Sequence, residues 1–236
     1  DLPCEPALVE LEDFFRNLDD VRMIYPETVG VLFFRGHENL LRAEKALEKQ
    51  ELPFLFYGPN LYGEKSKRYS TVHHNEASVA ALLAECYASR GFRRVLSLED
   101  GNDITRARVR LLTEALAGSG IACESRSWPE LSRQPEELRR LAGEFDVISA
   151  AVTQTAIEAV QILERDLRLR VPDTIAAAGI DNIPGSWQLR PQLTVVDLCN
   201  GENGRLCIRK FSELITAGSR PFHLDGKLAL IRRESC

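Results

Sequence analysis

The sequence lacks the features of a membrane-spanning, exported or nucleic-acid-binding chain. No stretch of its 236 residues approaches the ~20 apolar residues that cross a bilayer. The start, Asp1-Leu2-Pro3-Cys4, has neither the basic residues nor the apolar run of a signal peptide. Positive charge is scarce, since 30 Lys and Arg face 35 Asp and Glu and leave a formal net charge of −5. Because affinity for DNA rests largely on Lys and Arg that neutralise phosphates, we expect no direct nucleic-acid binding by this segment.

The cysteines form no pattern that holds a metal. The six lie at positions 4, 86, 123, 199, 207 and 236. None belongs to a C-x-x-C pair, and no histidine stands at metal-ligand spacing from any of them. They are expected to be small buried hydrophobic residues of a protein in a reducing compartment, which predicts a cytoplasmic location and no metal site.

Enzyme motifs are missing too. The sequence has no P-loop, no G-x-G-x-x-G after a strand and no G-x-S-x-G nucleophile elbow. The pair His73-His74 resembles a metal or acid–base site, but adjacent strand residues point to opposite faces, so surface or hinge histidines are the simpler interpretation. Of the carboxylates Glu99, Asp100 and Asp103, the last is explained equally well as a helix cap. We therefore predict no enzyme, no catalytic residues and no cofactor.

Short apolar runs alternate with segments of helical periodicity along the chain. The predicted strands are 29–34, 53–57, 94–98, 121–124, 146–150, 175–179, 193–197 and 227–232. The predicted helices are 38–50, 76–90, 104–117, 135–142, 153–167 and 202–217, with Asn75 as an N-cap and Pro135 as a first helical residue. This exchange is typical of an α/β fold with parallel sheets covered by helices, and the number of strands predicts two lobes.

Candidate ligand-binding residues follow from this fold class, because parallel sheets bind ligands outside the carboxyl ends of their strands. Tyr57, Thr153 and Asp181 each end or follow a predicted strand. Arg110 lies in the helix that begins just after another strand, and its fork of donors suits a carboxylate, a phosphate or vicinal hydroxyls. The alternatives stay open: Arg110 can be a solvent-facing helical arginine, and Asp181 can be a turn former.

Three phrases resemble the effector-binding domain of LacI/GalR-type transcription regulators. They are Arg90-Gly-Phe-Arg-Arg-Val-Leu96, Val171-Pro-Asp-Thr-Ile-Ala-Ala-Ala-Gly-Ile-Asp-Asn182 with Pro191-Gln-Leu-Thr-Val-Val196, and Leu230-Ile-Arg-Arg-Glu-Ser235. Together with the strand and helix order, they span roughly the last five-sixths of the chain in the family's sequence order.

The resemblance implies a periplasmic-binding-protein type I fold, with two Rossmann-like lobes and a ligand cleft between them. The lobes would be 1–71 with 192–220, and 72–191 with 221–236. It implies a homodimer whose cleft binds a small-molecule effector such as a sugar derivative or an organic acid. Operator DNA would be bound only through a headpiece that is absent here. Arg110 matches the arginine that holds the effector in the family, and Asp181 matches a contacting aspartate.

The departures from the family concern polar groups. Val152-Thr153 replaces a polar Asn-Asp pair, Leu198 and Gly58 stand where relatives carry polar residues, and Ser149 replaces an aromatic. These losses put a plain hexose or pentose in doubt, because sugar recognition needs many paired polar contacts. An apolar or singly anionic effector, or no effector at all, agrees with the sequence at least as well. The chain is also expected to be a fragment that lacks the first strand and helix of its N-terminal lobe, since residues 6–18 resemble the second helix.

Two alternatives remain beside the regulator. A solute-binding protein of a transporter shares the fold, but it would need a signal peptide, and the cysteines and the Arg-Arg-Glu-Ser ending argue against it. A degenerate domain that dimerises without a ligand is favoured by Val152, Thr153 and Leu198.

Overall fold

The chain folds into two compact units, each made of discontinuous segments. The computed structural model describes residues 5, 7, 9–34, 40–60, 69–217 and 220–236. The first unit comprises Asp1–His74 with Asn200–Lys227, and the second comprises Asn75–Cys199 with Leu228–Cys236. No helix within the described ranges is both long and apolar enough to cross a membrane.

Helices and strands alternate along both units. The helices are α1 (Leu11–Arg16), α2 (Val21–Ile24), α3 (Leu40–Lys49), α4 (Glu76–Ser89), α5 (Asp103–Ala117), α6 (Trp128–Leu131), α7 (Pro135–Ala142), α8 (Thr153–Gln161, extended by a π-turn over Ile162–Asp166), α9 (Pro184–Gln188) and α10 (Asn200–Ala217). The strands are β1 (Val31–Phe34), β2 (Phe54–Asn60), β3 (Ser70–Asn75), β4 (Arg94–Glu99), β5 (Ala122–Ser127), β6 (Val147–Ala150), β7 (Ala176–Ile180), β8 (Thr194–Asp197), β9 (His223–Asp225) and β10 (Ala229–Ile231).

The second unit is built on a six-stranded sheet of order β10-β8-β7-β6-β4-β5. All pairings are parallel except that of β10 with β8. Successive strand residues enter cores on opposite faces, as Val147 and Ile148 do, because side chains alternate across a strand. Burying one side chain such as Leu96 stabilises the fold by roughly 1.5–3 kcal/mol. The predicted α/β class with parallel sheets is confirmed.

Local signals set several helix starts. The Asn75 side chain accepts from the Ser78 amide at 3.1 Å and caps α4, as predicted. Pro135 is the first residue of α7, also as predicted. The cap of α5 is Asn102, which accepts from the Thr105 amide at 3.0 Å. The suggestion that Asp103 caps this helix was therefore wrong, because Asp103 is already its first helical residue.

The first unit has, among its described residues, a four-stranded sheet of order β1-β2-β3-β9. An aromatic cluster forms one core: Phe14 and Phe54 both pack edge-on against Phe33, with ring centroids 5.2 and 5.8 Å away. Residues of β2, β3 and α10 form a second core, in which Cys207 and Leu55 are fully buried. Three parts of the chain lie outside the described ranges: residues 38–39 of the predicted helix 38–50, Cys4, and most of the region before α1.

The unit boundaries differ from those inferred from the resemblance in three segments. Residues 72–74 were assigned to the second lobe, but they belong to the first unit. Residues 192–199 were assigned to the first lobe, but β8 pairs with β7 in the sheet of the second unit. Residues 221–227 were assigned to the second lobe, but β9 pairs with β3 in the first unit. Strand pairing between segments far apart in the sequence decides which unit each segment belongs to. The segment from Ser70 to Asn75 was not predicted as a strand at all.

Candidate functional site

The carboxyl edge of the six-stranded sheet gathers polar side chains from four neighbouring strands. β8, β7, β6 and β4 are adjacent and parallel, so the residues that follow them lie along one edge. They include Asp100 after β4, Thr153 after β6 and Asp181 after β7. In an open parallel sheet this edge is the usual place for a ligand.

A buried ion pair lies behind this edge. Arg108 donates from Nε and Nη2 to the two carboxylate oxygens of Glu76, at 2.8 and 3.0 Å. Its Nη1 donates to the carbonyl oxygen of Ala151, the residue after β6, at 2.9 Å. The Glu76 side chain is 0% exposed and that of Arg108 is 9% exposed. Both charges are removed from water, so each depends on the other and on the fork geometry of the guanidinium.

Helix geometry explains why Arg108, and not Arg110, occupies this position. Residues two apart on a helix are rotated by about 200° and therefore lie on nearly opposite faces. α5 packs against α4, which carries Glu76, and Arg108 lies on the packed face. Arg110 lies on the outer face, where its Nη1 contacts Glu114 at 2.9 Å and its side chain is 59% exposed. The structure does not bring Arg110 to the other candidate residues, and Arg108 stands at the predicted place of the arginine.

Thr153 and Asp181 lie together at this edge. The Thr153 hydroxyl is buried and donates to the carbonyl oxygen of Asp181 at 2.6 Å. Asp181 has a φ of 88°, and its carboxylate accepts from the amide of Asn182 at 2.9 Å. A Cβ at Gly179 would lie 2.7 Å from Thr153 Oγ1, so glycine is needed for this approach. Thr153 thus positions the turn that presents Asp181.

A second polar group, formed by Asn182, Asp197 and Arg233, was missed by the sequence analysis. Asn182 donates from Nδ2 to Asp197 at 3.0 Å and accepts from Arg233 Nη2 at 2.8 Å. Burial lowers the pKa of the Arg233 guanidinium below its ordinary value, and Asp197 partly opposes this effect. Arg233 also lies 6.0 Å from the ring centre of Trp187. The only sequence feature that pointed to this region was the Asp181-Asn182 pair, which follows a predicted strand.

The carboxylates after β4 are used by the start of α5. Glu99 accepts from the Gly101 amide at 2.6 Å, and Asp100 accepts from the Thr105 hydroxyl at 2.7 Å. They organise the turn and the helix start rather than forming an acid–base pair. Within the described residues, no group of three or more His, Cys, Asp and Glu side chains is arranged to hold a metal.

A small cavity lies beside the ion pair. Its volume is about 10 Å³, and Glu76, Arg108, Ser97 and Ser149 contribute its polar lining. That is room for about one water molecule. Ser149, where relatives were expected to carry an aromatic, is buried and accepts from the Tyr87 hydroxyl at 2.7 Å.

Tyr57 lies in the first unit, level with the end of β1, where it pairs with Phe34. Its hydroxyl donates to Asn200 Oδ1 at 3.1 Å and lies 3.1 Å from His74 Nε2. The neighbouring His73 contacts Asp225 through Nε2 at 2.7 Å. Both histidines are only 6% exposed, so of the two expectations, surface or hinge histidines, the first was wrong and the second stays a prediction.

Comparison with known proteins places the fold. The family model described as "Periplasmic binding protein-like domain" matches residues 84–236. No curated protein matches the chain. Most of the second unit lies in the matched range; only residues 75–83, which include Glu76, precede it.

Solved structures with the same fold share little sequence with the chain. The "transcriptional regulator CelR-cellobiose complex" has a TM-score of 0.77 at 21% identity, over 96% of this chain and 71% of that one. A LacI family transcriptional regulator from Arthrobacter sp. FB24, in complex with lactose, has a TM-score of 0.73 at 20% identity, over 93% and 82%. A periplasmic binding protein/LacI transcriptional regulator from Alkaliphilus metalliredigens QYMF, complexed with D-xylulofuranose, has a TM-score of 0.74 at 13% identity, over 95% and 82%.

Proposed function

Because the chain belongs to the family of periplasmic binding protein-like domains, we propose that it is the small-molecule-sensing domain of a LacI-type transcription regulator. Two structural neighbours that are LacI regulators support this proposal, as do the three sequence phrases that resemble the same family. The domain works as a cytoplasmic homodimer, and DNA is bound by a separate headpiece whose affinity for the operator changes with the ligand.

The observation that carries the proposal is the polar carboxyl edge of the second unit, with Arg108 behind it and Asp181 on it. Three of the five N–H groups of Arg108 are used by Glu76 and Ala151 in the described structure. The other two can donate to a ligand oxygen. The Asp181 carboxylate can accept from a ligand hydroxyl.

The ligand class follows from charge. Glu76 already neutralises Arg108, so the carboxylate or phosphate of an anionic ligand would find no uncompensated positive charge there. It would also be repelled by the buried Glu76 carboxylate. An uncharged ligand rich in hydroxyl groups avoids this repulsion. The sugars named for two neighbours, cellobiose and lactose, have this chemistry.

A thermal-shift screen tests the proposal. Neutral saccharides and polyols would be compared with sugar acids and sugar phosphates. A ligand at a hundred times its dissociation constant adds about 2.7 kcal/mol, which raises the melting temperature by several degrees. The test variant is Asp181→Asn, because asparagine tolerates the positive φ and removes only the charge. The control is Arg110→Ala on the exposed face of α5.

We expect a neutral compound to stabilise the wild type and Arg110→Ala, and to stabilise Asp181→Asn much less. Equal stabilisation of all three would put the ligand elsewhere. Absence of any hit would favour a second function, dimerisation without a ligand. The neutralised arginine and the small cavity support this second function. Sedimentation velocity would then measure the dimer directly.

A further inference from the structure

The segment Arg233-Glu234-Ser235, here called the clip segment, fills the gap where β7 and β8 separate. The pairing of these strands begins at Ala178 and Thr194. Just before this point the Ser235 hydroxyl accepts from the Thr194 amide at 2.9 Å and donates to the Ala177 carbonyl oxygen at 2.6 Å. The Ala177 amide donates to the Ser235 carbonyl oxygen at 2.8 Å. Ser235 thus satisfies buried backbone groups at the amino ends of both strands.

Arg233 extends from the clip segment to the carboxyl edge of the sheet. Its amide donates to Thr194 Oγ1 at 2.9 Å, so its backbone lies beside the first residue of β8. Its guanidinium reaches the turn after β7, where Nη2 donates to Asn182 Oδ1 at 2.8 Å. Nη1 donates to Ser186 Oγ at 3.1 Å and to the Leu193 carbonyl oxygen at 2.7 Å. One side chain therefore connects the start of β8 with the turn beyond the end of β7.

The turn that Arg233 contacts is the one that presents Asp181. Asn182 is the next residue, and its amide donates to the Asp181 carboxylate at 2.9 Å. Asn182 Oδ1 also accepts from Ser186 Oγ at 3.1 Å, and its Nδ2 donates to Asp197 at 3.0 Å. The φ of 88° at Asp181 is uncommon for a residue with a Cβ, so the contacts around the turn must hold it. Arg233 supplies the charged donor among them, and such hydrogen bonds are stronger than neutral ones.

We propose that Arg233 is a positioning residue for Asp181, which holds the Asp181-Asn182 turn in the conformation that presents the carboxylate to a ligand. Both Nη atoms donate to protein acceptors, so Arg233 acts through Asn182 and not on the ligand itself. Ser235 fixes the other end of the clip segment in the sheet. The part of this inference that concerns a ligand rests on the proposed function, whereas the position of the turn does not.

Hydrogen–deuterium exchange of the ligand-free protein, read by peptide mass spectrometry, tests the position of the turn. Arg233→Gln removes the charged donor to Asn182, and we expect the amides of residues 181–186 to exchange about tenfold faster or more. Arg232→Gln is the matched control, because it removes the same charge from the adjacent, exposed side chain, and it should leave the turn unchanged. Peptides from α7 should be unchanged in both variants, since a general loss of stability would raise exchange throughout the second unit.

A second substitution keeps the test independent of how well Arg233→Gln folds. Asn182→Ala removes the acceptor but leaves the contacts of Ser235 with β7 and β8 in place. It should speed exchange in the same residues. The effect of the double variant should be much smaller than the product of the two single effects, because both substitutions remove one shared contact.

Ligand binding is measured separately, with the neutral saccharides of the thermal-shift screen. For any of them that raises the melting temperature of the wild type, the rise should be smaller in Arg233→Gln, measured from that variant's own ligand-free value. Arg232→Gln should keep the full rise. If no saccharide stabilises the wild type, the proposed function fails, and the exchange result still decides whether Arg233 positions the turn.

Three exchange results would overturn the proposal. One is unchanged exchange of residues 181–186 in Arg233→Gln and Asn182→Ala. Another is an equal acceleration in the turn and in α7, which would make Arg233 a general stabilising residue. The third is a double variant whose effect equals the product of the single ones. A full ligand-induced rise in Arg233→Gln would overturn its role in binding.

Discussion

Replacing Arg108 by methionine measures how far the second unit depends on its buried ion pair. Methionine keeps much of the apolar stem and removes the charge with its three hydrogen bonds. The Glu76 carboxylate, which is 0% exposed, then has no counterion. Breaking one partner of a buried pair costs about 3–5 kcal/mol, so we expect the free energy of unfolding to fall by about that amount.

The same substitution at Arg110 is the matched control. Arg110 lies two residues away on the same helix, and its contact with Glu114 joins two side chains that are 59% and 58% exposed. Exposed pairs of this kind contribute about 0–1 kcal/mol. Urea unfolding followed by circular dichroism would give both values, provided that the slopes with urea agree. The two variants should therefore differ by at least about 2 kcal/mol.

A double variant separates the ion pair from general packing. If Glu76→Leu is combined with Arg108→Met, no unpaired charge remains, and the double variant should be more stable than either single one. If Arg108→Met and Arg110→Met proved equally stable, the argument that burial makes the Arg108 ion pair important would be refuted. A double variant whose losses simply add would show that the two side chains do not act as a pair.

Further substitutions test the local contacts. Gly179→Ala should destabilise the protein by about 1–3 kcal/mol in urea unfolding, because the new Cβ would lie 2.7 Å from Thr153 Oγ1; a cost below a few tenths of a kcal/mol would contradict this close approach. Asn102→Ala should cost about 1 kcal/mol by removing the cap of α5, whereas Ser127→Ala, at the start of α6 where the side chain makes no cap, is its control. The pKa of Tyr87 is held well above 10.0, chiefly by burial, so the neutral form is favoured in the folded state. The resulting stability is complete below the unfolded pKa and falls as pH rises above it, and Tyr87→Phe should flatten the decline above pH 10 in thermal melts.

Local signals predicted much of the fold. The alternation of strands and helices indicated the α/β class, and Asn75 and Pro135 marked helix starts correctly. Their effects act within one helical turn, so neighbouring residues suffice to recognise them. Asp181 was singled out because it follows a strand, and the structure places it beside Thr153 at the carboxyl edge. Its part in ligand binding stays a prediction.

Other features depended on contacts between distant segments. The sequence placed an arginine in α5 near the carboxyl edge, but it contained three candidates within five residues and named the exposed one, Arg110. The partner of Arg108 is Glu76, 32 residues earlier on another helix, and no periodicity within α5 identifies it. β8 was likewise recognised as a strand but assigned to the wrong unit, because its pairing with β7 involves no local signal.

The sequence by itself thus determined the kinds of most elements, many of their ends and the family whose phrases they carry. Hydrogen bonds within a turn and the side-chain period of a helix or strand act over a few residues, and a single chain displays them directly. Tertiary structure alone decided which arginine is buried and which sheet each strand joins. Those outcomes depend on packing between segments far apart in the sequence, where burial removes water and makes a charge depend on its specific partner.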